Sequence, residues 1–406
     1  MRIFFSVGEP SGDLHGANLI RALQRRRPMW RFVGYGGPRM EEAGCELHAD
    51  LTQLAVMWVA RVLVNLHKFI GLLLRADRYF RQERPDAVVL IDYPGFNWWI
   101  ARRAKAHGIP VFYYGAPQLW AWAGYRVNKM RRYVDHVLCK LPFEERWFRE
   151  RGCNATYVGH PYFDELRGQQ LDKPLVTRMT RPESPLVVIL PGSRTQEVEA
   201  NSRTFLRTAK LIVQRVPETR FAVAAYKLSQ AQMVKDMAEA MGLVVEVFVG
   251  RTPELIHSAD CCLACSGSVS LELLYHAKPS VILYQVSRMA YFVQQQFRKV
   301  RYITLVNLLT AEDPSTARPA AAYDPTDPRD AHVLMPEYLA CEDKSAQLAG
   351  HCIEWLTDAD ARWRRVAALR QVRDRFAKGG ASDQAAEYIA AALHQPRSLT
   401  PLRKAS

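Results

Sequence analysis

The chain opens on the stretch that decides its fold class, Ile3-Phe4-Phe5-Ser6-Val7-Gly8-Glu9-Pro10-Ser11-Gly12-Asp13-Leu14-His15-Gly16. Its first five residues form a largely apolar run that predicts a buried β-strand, and a helical pattern follows to about Arg27. The glycines, which fall at every fourth position, predict a loop between the two. A strand, a loop and a helix in this order are typical of α/β proteins.

Apolar runs alternate with helical patterns in both halves of the chain. The predicted strands are Ile3–Val7, Arg31–Tyr35, Ala87–Asp92, Val111–Tyr114, His136–Lys140, Leu186–Leu190, Arg220–Tyr226, Leu243–Val249, Cys261–Cys265 and Ser280–Tyr284. Strands that alternate with helices predict parallel sheets with crossover helices. Because the pattern stops and restarts once, the sequence predicts an α/β fold with two Rossmann-like, doubly wound domains that face each other across a cleft.

Polar and proline-rich segments mark the predicted boundaries. We expect Gln169–Ser184 to be a linker between domains at residues 1–170 and 185–380, and residues 381–406 to be a C-terminal helix and tail that complete the first domain. Thr310–Leu334 is rich in Pro, Ala and Asp and shows no periodicity, which predicts an exposed insertion. From Pro336 onward the tail is predicted to be helical.

Most of the formal net charge of +14 lies in the first 170 residues, which hold 25 Lys and Arg residues against 16 Asp and Glu residues. Such a basic half suits an anionic partner, whether nucleic acid, a membrane surface or a phosphorylated substrate. The zinc-finger, homeodomain and aromatic RNA-binding signatures do not occur in the sequence, which argues against nucleic acid.

The eight cysteines show no framework spacing. Cys262 and Cys265 form a CxxC, but it lies within a predicted buried strand and has no second pair, so we expect core cysteines and a reducing, cytoplasmic compartment. Residues 1–7 predict a strand and not a signal peptide. No uncharged apolar run reaches 18 residues, so no transmembrane helix is predicted.

Candidate catalytic residues follow two strands of the first half. Glu9 and His15 offer a carboxylate and an imidazole on the first loop, and Asp92 ends a buried strand. Ligands bind at the carboxyl ends of parallel strands, so these groups are expected at the ligand edge of the sheet. We expect Asp92 to be the general base, with Glu9 and His15 in reserve. The alternative is an Asp92 that only caps a helix or stabilises a turn.

The first loop also offers candidate binding groups. Ser11, Gly12 and Asp13 are predicted to contact a substrate at this edge. The alternative is a glycine-rich turn in which Ser11 or Asp13 caps the following helix. The spacing is not GxGxxG, so a dinucleotide is not predicted.

Two small-residue turns in the second half together predict a pocket for a nucleoside diphosphate. In Gly192-Ser193-Arg194, the glycine allows close backbone approach and the arginine supplies a bidentate fork for phosphate. Ser266-Gly267-Ser268 precedes a helix whose unpaired N–H groups can bind phosphate. Glu272, one turn into that helix, is placed to accept hydrogen bonds from ribose hydroxyls.

No metal or other cofactor is predicted. Asp358-Ala359-Asp360 is a literal DxD, but it starts a predicted helix, so capping explains it better than a metal-bound diphosphate. The sequence has no HExxH and no paired CxxC. Arg194 and a helix N-terminus are therefore expected to stabilise the departing diphosphate.

Val59–Leu74 predicts an amphipathic helix. Val62, Leu63 and Leu66 share its apolar face, and Trp58 precedes it. A core helix and a helix lying in a membrane interface explain this pattern about equally well. The basic first half favours the membrane-facing interpretation of these four residues.

With these motifs in place, the sequence resembles the lipid-A-disaccharide synthase family over nearly its whole length. The resemblance rests on Gly8-Glu9-Pro10-Ser11-Gly12-Asp13, Gly37-Pro38-Arg39-Met40, Gly44-Cys45, Leu54-Ala55-Val56-Met57, Ile91-Asp92-Tyr93-Pro94, Phe96-Asn97, Tyr114, Pro117, Trp120-Ala121-Trp122, Leu141-Pro142-Phe143-Glu144, Val158-Gly159-His160-Pro161, Leu190-Pro191-Gly192-Ser193-Arg194, Ser266–Glu272, Asn307-Leu308-Leu309 and Pro336-Glu337.

The resemblance implies a GT-B fold, with the acceptor on the first domain and UDP on the second, where Asn307 joins the substrate-binding residues. It implies a hexosyltransferase that joins UDP-2,3-diacylglucosamine to 2,3-diacylglucosamine 1-phosphate with inversion, giving a β-1′,6-linked disaccharide and UDP. The family works without a metal, peripherally on the cytoplasmic face of the inner membrane. The oligomeric state stays open, a homodimer included.

The sequence departs from the family's pattern at Gly95, where Asp is frequent, and at Ala123, where Arg is common. Three rival functions remain: another GT-B UDP-sugar transferase, a UDP-sugar 2-epimerase, and a non-enzymatic protein that binds membrane surfaces. An epimerase needs its own acid and base near the diphosphate. A surface-binding protein needs the Val59–Leu74 helix but neither Arg194 nor Glu272.

Overall fold

Two compact α/β units make up the protein. The computed structural model describes residues 1–55, 66–311 and 321–394. The first unit comprises residues 1–119 and 123–164 and the chain from Gly379 onward, and the second comprises residues 120–122 and 165–378. In the described part of the chain, each unit is built on its own parallel sheet.

The sheet of the first unit has the strand order β3-β2-β1-β4-β5-β6-β7. Its strands are β1 (Arg2–Val7), β2 (Arg31–Gly36), β3 (Cys45–Asp50), β4 (Ala87–Ile91), β5 (Val111–Tyr114), β6 (His136–Cys139) and β7 (Ala155–Tyr157). All pairings are parallel, with Ile3 opposite both Phe32 and Ala87. Helices cover both faces of such a sheet, which explains why β1 and β4 are continuously apolar.

The sheet of the second unit has the order β10-β9-β8-β11-β12-β13. Its strands are β8 (Leu186–Leu190), β9 (Arg220–Ala225), β10 (Glu246–Val249), β11 (Cys261–Cys265), β12 (Ser280–Gln285) and β13 (Glu337–Ala340). These pairings are parallel as well. In each sheet the first strand in the sequence, β1 or β8, is an interior strand. The order in which strands are added reverses next to it, between β1 and β4 and between β8 and β11.

Helices connect the strands throughout the described residues. They are Pro10–Arg26, Pro38–Glu42, Thr52–Ala55, Leu66–Glu83, Pro94–Ala106, Leu119–Trp122, Val127–Tyr133, Pro142–Arg149, Tyr162–Gly168, Lys173–Met179, Thr195–Arg215, Leu228–Ala240, Thr252–Ser258, Val269–Tyr275, Arg288–Phe297, Leu305–Thr310, Ser345–Thr357, Ala359–Phe376 and Ala381–His394, with 3₁₀ turns at Gly124–Arg126 and Pro328–Asp330. Most positions of the predicted strands and helices are confirmed to within a few residues.

The C-terminal helix Ala381–His394 packs against the helix Pro10–Arg26 of the first unit. Its small residues Ala385 and Ala386 are fully buried in the apolar core around β1 and β4. The carboxylate of Asp164 accepts hydrogen bonds from the backbone N–H groups of residues 380, 381 and 382 at 2.5, 3.2 and 2.9 Å. Asp164 therefore satisfies the helix N-terminus, whose first N–H groups have no partner within the helix.

Three strands, β3, β7 and β13, were not predicted from the sequence. One of them, β13, shows that the prediction of a helical tail from Pro336 is wrong at its start. β3 and β7 are short or half-exposed, so they lack the long apolar run that marks a buried strand. β13 contains Glu337 and lies where the tail from Pro336 was predicted to be helical. It forms the edge of the second sheet, because its backbone pairs with β12.

The predicted first loop, linker and insertion also need correction. The first loop is short because the helix begins at Pro10, a residue whose fixed φ angle suits a first helical position. The predicted linker contains the helix Lys173–Met179, capped by Asp172. Within Thr310–Leu334, residues 312–320 lie outside the described residues, but Asp330 is buried, so the segment is not simply exposed.

The buried Asp330 is held by side chains from elsewhere in the second unit. Arg301 donates to both of its oxygens, from Nε at 2.7 Å and from Nη2 at 2.6 Å, and the hydroxyl of Tyr302 donates at 2.7 Å. Arg301 also pairs with Asp327. These contacts hold the described end of the segment against the unit, which composition alone does not reveal.

Replacing Asp164 with Ala should lower the free energy of unfolding by about 2–3 kcal/mol, because three N–H groups at a helix N-terminus lose a charged acceptor. Urea unfolding followed by circular dichroism measures the change. Asp383→Ala is the control: Asp383 lies on the same helix and makes surface ion pairs with Arg25 and Arg26, so we expect a loss within about 1 kcal/mol. Equal losses in the two variants would contradict the capping role.

Candidate functional site

The carboxyl ends of β1 and β4 carry the predicted catalytic residues. The strand order of the first sheet reverses between these two strands. The loop after β1 and the loop after β4 therefore run to opposite faces of the sheet and leave a crevice between them. Ligands bind in this crevice in doubly wound folds. Glu9 follows β1 and Asp92 follows β4, so the structure brings both to this crevice.

Asp92 and Tyr93 form a strained turn. Both have positive φ angles, 46° and 42°, a region that residues other than glycine rarely adopt. The backbone carbonyl of Asp92 accepts hydrogen bonds from the Tyr113 hydroxyl at 2.6 Å and from Asn97 Nδ2 at 2.8 Å. Such strain persists only where surrounding contacts over-determine it, and it concentrates at functional sites.

Asn97 ties the two central strands together at the crevice. It is fully buried, its Oδ1 accepts from the Ser6 hydroxyl at 2.7 Å, and its Nδ2 also contacts the carbonyl oxygens of Ser6 and Ile91 at 3.2 and 3.3 Å. The amide thus fixes the end of β4 against β1. Sequence reasoning missed this role, although Asn97 belongs to the motif around Asp92.

Lys140 is the direct partner of the Asp92 carboxylate. Its Nζ lies 3.2 Å from Asp92 Oδ1, and both side chains are largely buried. Burial alone would lower the pKa of Lys140, but the carboxylates of Asp92 and Glu144 outweigh it and raise this pKa above its ordinary value. Gly115, with φ of 69°, leaves room for the lysine stem: a Cβ there would lie 3.2 Å from Lys140 Cδ. Sequence reasoning did not identify Lys140, which follows a different strand, β6.

Two glycines let the first loop pack against this turn. A Cβ at Gly8 would lie 2.4 Å from the ring of Tyr93, and one at Gly12 would lie 2.9 Å from Val7 Cγ1 and 3.5 Å from Asp92 Oδ2. Gly12 is in the first turn of the helix Pro10–Arg26, so the Asp92 carboxylate lies close to a helix N-terminus. The partial positive charge there favours an anionic group.

Glu9, His15 and His160 interact with one another or with Tyr93 and Lys140, the neighbours of Asp92. Burial raises the pKa of Tyr93, and the nearby Glu9 carboxylate raises it further. Burial, together with Lys140 and His15, holds the pKa of His160 well below its ordinary value. His160 is therefore a neutral imidazole near pH 7, and its Nδ1 accepts a hydrogen bond from the Tyr162 N–H at 3.3 Å. His160 was noted only as part of a family motif.

Asp13 of the first loop is a helix cap, as in the alternative interpretation, but for a different helix. It is buried, and its oxygens accept from the backbone N–H groups of Gly37, Arg39 and Met40 at 2.9, 3.1 and 3.1 Å. The carboxylate therefore caps the helix Pro38–Glu42 and not its own helix. Ser11, two residues earlier, is exposed.

In the second unit, the predicted phosphate-binding turns follow the neighbouring strands β8 and β11, where this sheet reverses its order. Gly192 has φ of 128°, and a Cβ there would lie 2.9 Å from Glu197 Cβ and 3.5 Å from Cys265 Sγ. The carbonyls of Pro191 and Ser193 accept from Asn201 and Gln230. The turn is thus fixed through its backbone, beside the end of β11.

The side chains of this turn point outward. Arg194 is 82% exposed and its described ion pair is to Glu197, at 2.8 Å on the same helix. Ser193 is exposed as well, and so are Gly267 and Ser268 of the second turn. Glu272 lies one turn further and is buried. These residues share one edge of the sheet, as the sequence predicted.

Asn307, like Asp13, is a predicted binding residue that is buried and bonded within the fold. It is fully buried: Nδ2 donates to the Met335 carbonyl at 2.7 Å and to Glu337 at 2.9 Å, and Oδ1 accepts from the Met335 N–H at 3.1 Å. The side chain joins the helix Leu305–Thr310 to the start of β13. Its amide is committed to the fold, so the structure gives no support to substrate binding by Asn307.

The remaining predictions concern metal and membrane. Asp358 caps the helix Ala359–Phe376 through Ala361 N–H at 2.9 Å, which confirms the capping interpretation of the DxD. Among residues 1–55, 66–311 and 321–394, no cluster of His, Cys, Asp or Glu could hold a metal ion. Over the same ranges, no helix is both long and apolar enough to span a bilayer.

The predicted membrane-facing helix lies partly outside the described residues, and Trp58, Val62 and Leu63 fall there. From Leu66 onward the helix continues past the predicted end to Glu83. It buries Phe69, Ala76 and Phe80. It also exposes about half of Leu66, Ile70 and Leu74, which lie four residues apart on one stripe.

Two doubly wound units, with carboxylates where the first sheet reverses and small-residue turns where the second does, define a protein of the GT-B fold class. Among solved structures, the calicheamicin glycosyltransferase matches with a TM-score of 0.57 at 15% identity, covering 97% of this chain and 98% of that one. The UDP-GlcNAc 2-epimerase from Neisseria meningitidis, bound to UDP-GlcNAc, matches with a TM-score of 0.60 at 12% identity over 96% and 100%. At these identities the likeness concerns the fold alone.

Sequence comparison identifies the family within this class. A model of the lipid-A-disaccharide synthetase family matches residues 3–315. The lipid-A-disaccharide synthase of Trichlorobacter lovleyi is 32% identical over 395 residues, covering 97% of this chain and 98% of that protein. The chain belongs to the lipid-A-disaccharide synthase family, and it is a glycosyltransferase.

Proposed function

We propose that the protein transfers diacylglucosamine from UDP-2,3-diacylglucosamine to 2,3-diacylglucosamine 1-phosphate, with inversion, to form the β-1′,6-linked disaccharide 1-phosphate and UDP. Family membership supports the class of reaction. The observation that carries the mechanism is the Asp92 carboxylate, held beside a helix N-terminus in the crevice of the first unit. Mass spectrometry of the product, with NMR to assign the new anomeric bond, tests the assignment directly.

Asp92 is the proposed general base. The attacking group is the primary 6-hydroxyl of the acceptor, which does not ionise by itself at neutral pH. As its oxygen bonds to the anomeric carbon of the donor, Asp92 takes the hydroxyl proton, and the bond between that carbon and the UDP oxygen breaks. The electron pair of the broken bond leaves with UDP. The attack comes from the face opposite UDP, so the configuration inverts.

The neighbours of Asp92 support this role in different ways. Lys140 fixes the carboxylate through a largely buried ion pair, and the strained turn fixes its backbone. A base that is pre-oriented in this way avoids reorganisation when the substrate reacts. Glu9, which follows β1, and His15, on the helix Pro10–Arg26, are proposed to orient the acceptor or, in reserve, to serve as the base.

Asp92→Asn keeps the shape of the side chain but removes its basicity, so turnover should fall by about 10²–10⁴. UDP affinity, measured by calorimetry, should not change, because the proposed nucleotide residues belong to the other unit. Asp86→Asn is the control. Asp86 flanks the opposite end of the same strand and accepts the Arg2 N–H at 2.6 Å, and we expect its replacement to leave turnover within about twofold. Near-normal turnover of Asp92→Asn would show that Asp92 is not the base, and Glu9→Gln would be the next variant to measure.

The second unit is the proposed site of UDP. Gly192, Ser193 and Arg194 would contact the diphosphate together with Ser266, Gly267 and Ser268, and the buried Glu272 would contact the ribose. The support is the position of both turns where the second sheet reverses and the exposure of their polar groups. In this proposal, Arg194 exchanges its surface partner Glu197 for the phosphates.

Arg194→Ala should weaken UDP binding about 10- to 150-fold, because a charge-assisted hydrogen bond contributes roughly 1.5–3 kcal/mol. The fold should be unaffected, since exposed ion pairs contribute little. Arg207→Ala is a matched control, because Arg207 lies on the same helix and makes a comparable surface pair with Asp343. UDP titrations of both variants by calorimetry are decisive: equal affinities would remove Arg194 from the site.

We further propose that the first unit rests on the cytoplasmic face of the inner membrane. The exposed stripe of Leu66, Ile70 and Leu74 lies on a helix that also exposes Lys68 and Arg75. Apolar residues interspersed with cations are characteristic of helices that lie in the interface of an anionic bilayer. Such a position would bring the acylated substrates to the enzyme.

Changing Leu66, Ile70 and Leu74 together to Ser should release the protein from anionic liposomes, because about half of each side chain is already exposed and the fold does not need it. Co-sedimentation measures binding, and thermal unfolding verifies the fold. The control is Met29→Ser, a highly exposed apolar residue elsewhere in the unit, which should leave binding unchanged. If the triple variant still binds fully, this stripe is not the membrane contact.

The family relation supports the synthase over the rival functions. A UDP-sugar 2-epimerase shares the fold at 12% identity, whereas the family model and the curated relative indicate a synthase. A protein that only binds membrane surfaces would need the stripe on Leu66–Glu83 but not the Asp92 turn. Formation of the disaccharide 1-phosphate from UDP-2,3-diacylglucosamine and the phosphorylated acceptor separates the proposed synthase from all three rivals, since none of them would join this pair.

A further inference from the structure

The helix Arg288–Phe297 of the second unit carries an exposed apolar stripe that has no role in the mechanism proposed above. Met289, Phe292 and Val293 are 79%, 64% and 49% exposed. Residues three and four positions apart lie on one side of a helix, so these side chains form one continuous strip. The helix start is fixed, because the Ser287 hydroxyl caps it through the Ala290 N–H at 3.2 Å.

The stripe belongs to the edge of the sheet that carries the nucleotide turns. β12 pairs with β11 in parallel, Leu283 opposite Cys265, and the helix begins three residues after β12 ends. Neighbouring strands lie about 4.8 Å apart. The chain that leads into the helix therefore starts about one strand spacing from the Ser266–Ser268 turn, on the side away from β8.

The charge of this helix distinguishes it from a membrane-binding surface. Arg288 is its single charged residue, and three glutamines follow the apolar strip. Peripheral helices that bind anionic bilayers carry clusters of Lys and Arg on their polar face. Three side chains are also far less than a stable interface between two protein copies needs, since such interfaces bury on the order of 1,000 Å² or more. A flexible apolar ligand of small cross-section fits the strip better.

We propose that Met289, Phe292 and Val293 bind an acyl chain of the donor sugar nucleotide. The inference rests on the function proposed above, in which UDP lies at the turns after β8 and β11. A glucosamine attached to that UDP carries its two acyl chains close to the nucleotide, within reach of the next loop of the sheet. Methionine and phenylalanine suit such a chain, because a flexible thioether and a ring adapt to irregular apolar surfaces. The strip would thereby let the enzyme prefer acylated donors over UDP-sugars without long chains.

The test compares the wild type with a variant that carries Met289→Ser, Phe292→Ser and Val293→Ser. KM is measured for UDP-diacylglucosamines of increasing chain length at a fixed acceptor concentration, and UDP affinity is measured by calorimetry. In the wild type, KM should fall as the chains lengthen. In the variant this dependence should flatten, and KM for the long-chain donor should rise by about 10- to 100-fold while UDP affinity stays unchanged. The fold should survive, since the three side chains are exposed.

A matched control replaces Val244 and Trp363 with Ser. Both are highly exposed in the same unit, but Val244 precedes β10 at the opposite edge of the sheet and Trp363 lies on the helix Ala359–Phe376. This control should keep the wild-type dependence on chain length. If the triple variant keeps the wild-type dependence of KM on chain length, the inference is overturned. It is also overturned if the only property that the triple variant loses is binding to vesicles in the absence of substrate. A wild type that does not turn over any acylated donor would instead refute the proposed function.

Discussion

Both candidate sites depend on one topological constraint, the reversal of strand order beside the first strand of each parallel sheet. A right-handed crossover places its helix on one face of the sheet or the other, according to the direction in which the next strand is added. Where that direction changes, the loops leaving two neighbouring strands go to opposite faces and cannot close over the strand ends. β1 and β4 flank this point in the first unit, and β8 and β11 flank it in the second.

The two reversal points are held in different ways. In the first unit, Asn97 joins β1 to the turn after β4, and the Tyr113 hydroxyl supports the same carbonyl. Two consecutive residues in the left-handed region cost about 1–3 kcal/mol each, and the buried hydrogen bonds offset this cost. In the second unit, Asn201 and Gln230 hold only the backbone of the turn and leave the Arg194 side chain in solvent.

Much of this could be predicted from the sequence, because buried parallel strands leave long apolar runs and their last residues mark the ligand edge. That reasoning located Asp92, Gly192 and Ser266 with no knowledge of the fold. It did not find Lys140, whose contact with Asp92 depends on the spatial order of β4, β5 and β6. No local pattern reports such an order.

The unpredicted strand β13 and the burial of Asn307 have equally physical causes. β13 is short and contains the buried Glu337, which accepts the backbone N–H groups of Ile303 and Thr304. A four-residue strand that contains an acidic residue lacks the apolar run that predicts a buried strand. The sequence therefore favoured a helical tail. Asn307 matched a family motif, but a motif residue can hold the fold as well as a ligand, and the sequence carries no sign of its bonds to Met335.

The contrast between the two sites follows from the chemistry proposed for them. A proton passes only between groups in hydrogen-bond contact, so a general base displaced by a fraction of an ångström loses much of its effect. Its position must be set before the substrate arrives, and strain, an ion pair and a buried amide all act on the Asp92 turn. An arginine that neutralises a diphosphate acts through charge over several ångströms and can close onto its ligand after binding. A side chain resting on the surface against Glu197 is sufficient for that task, and it leaves the nucleotide a way in and out.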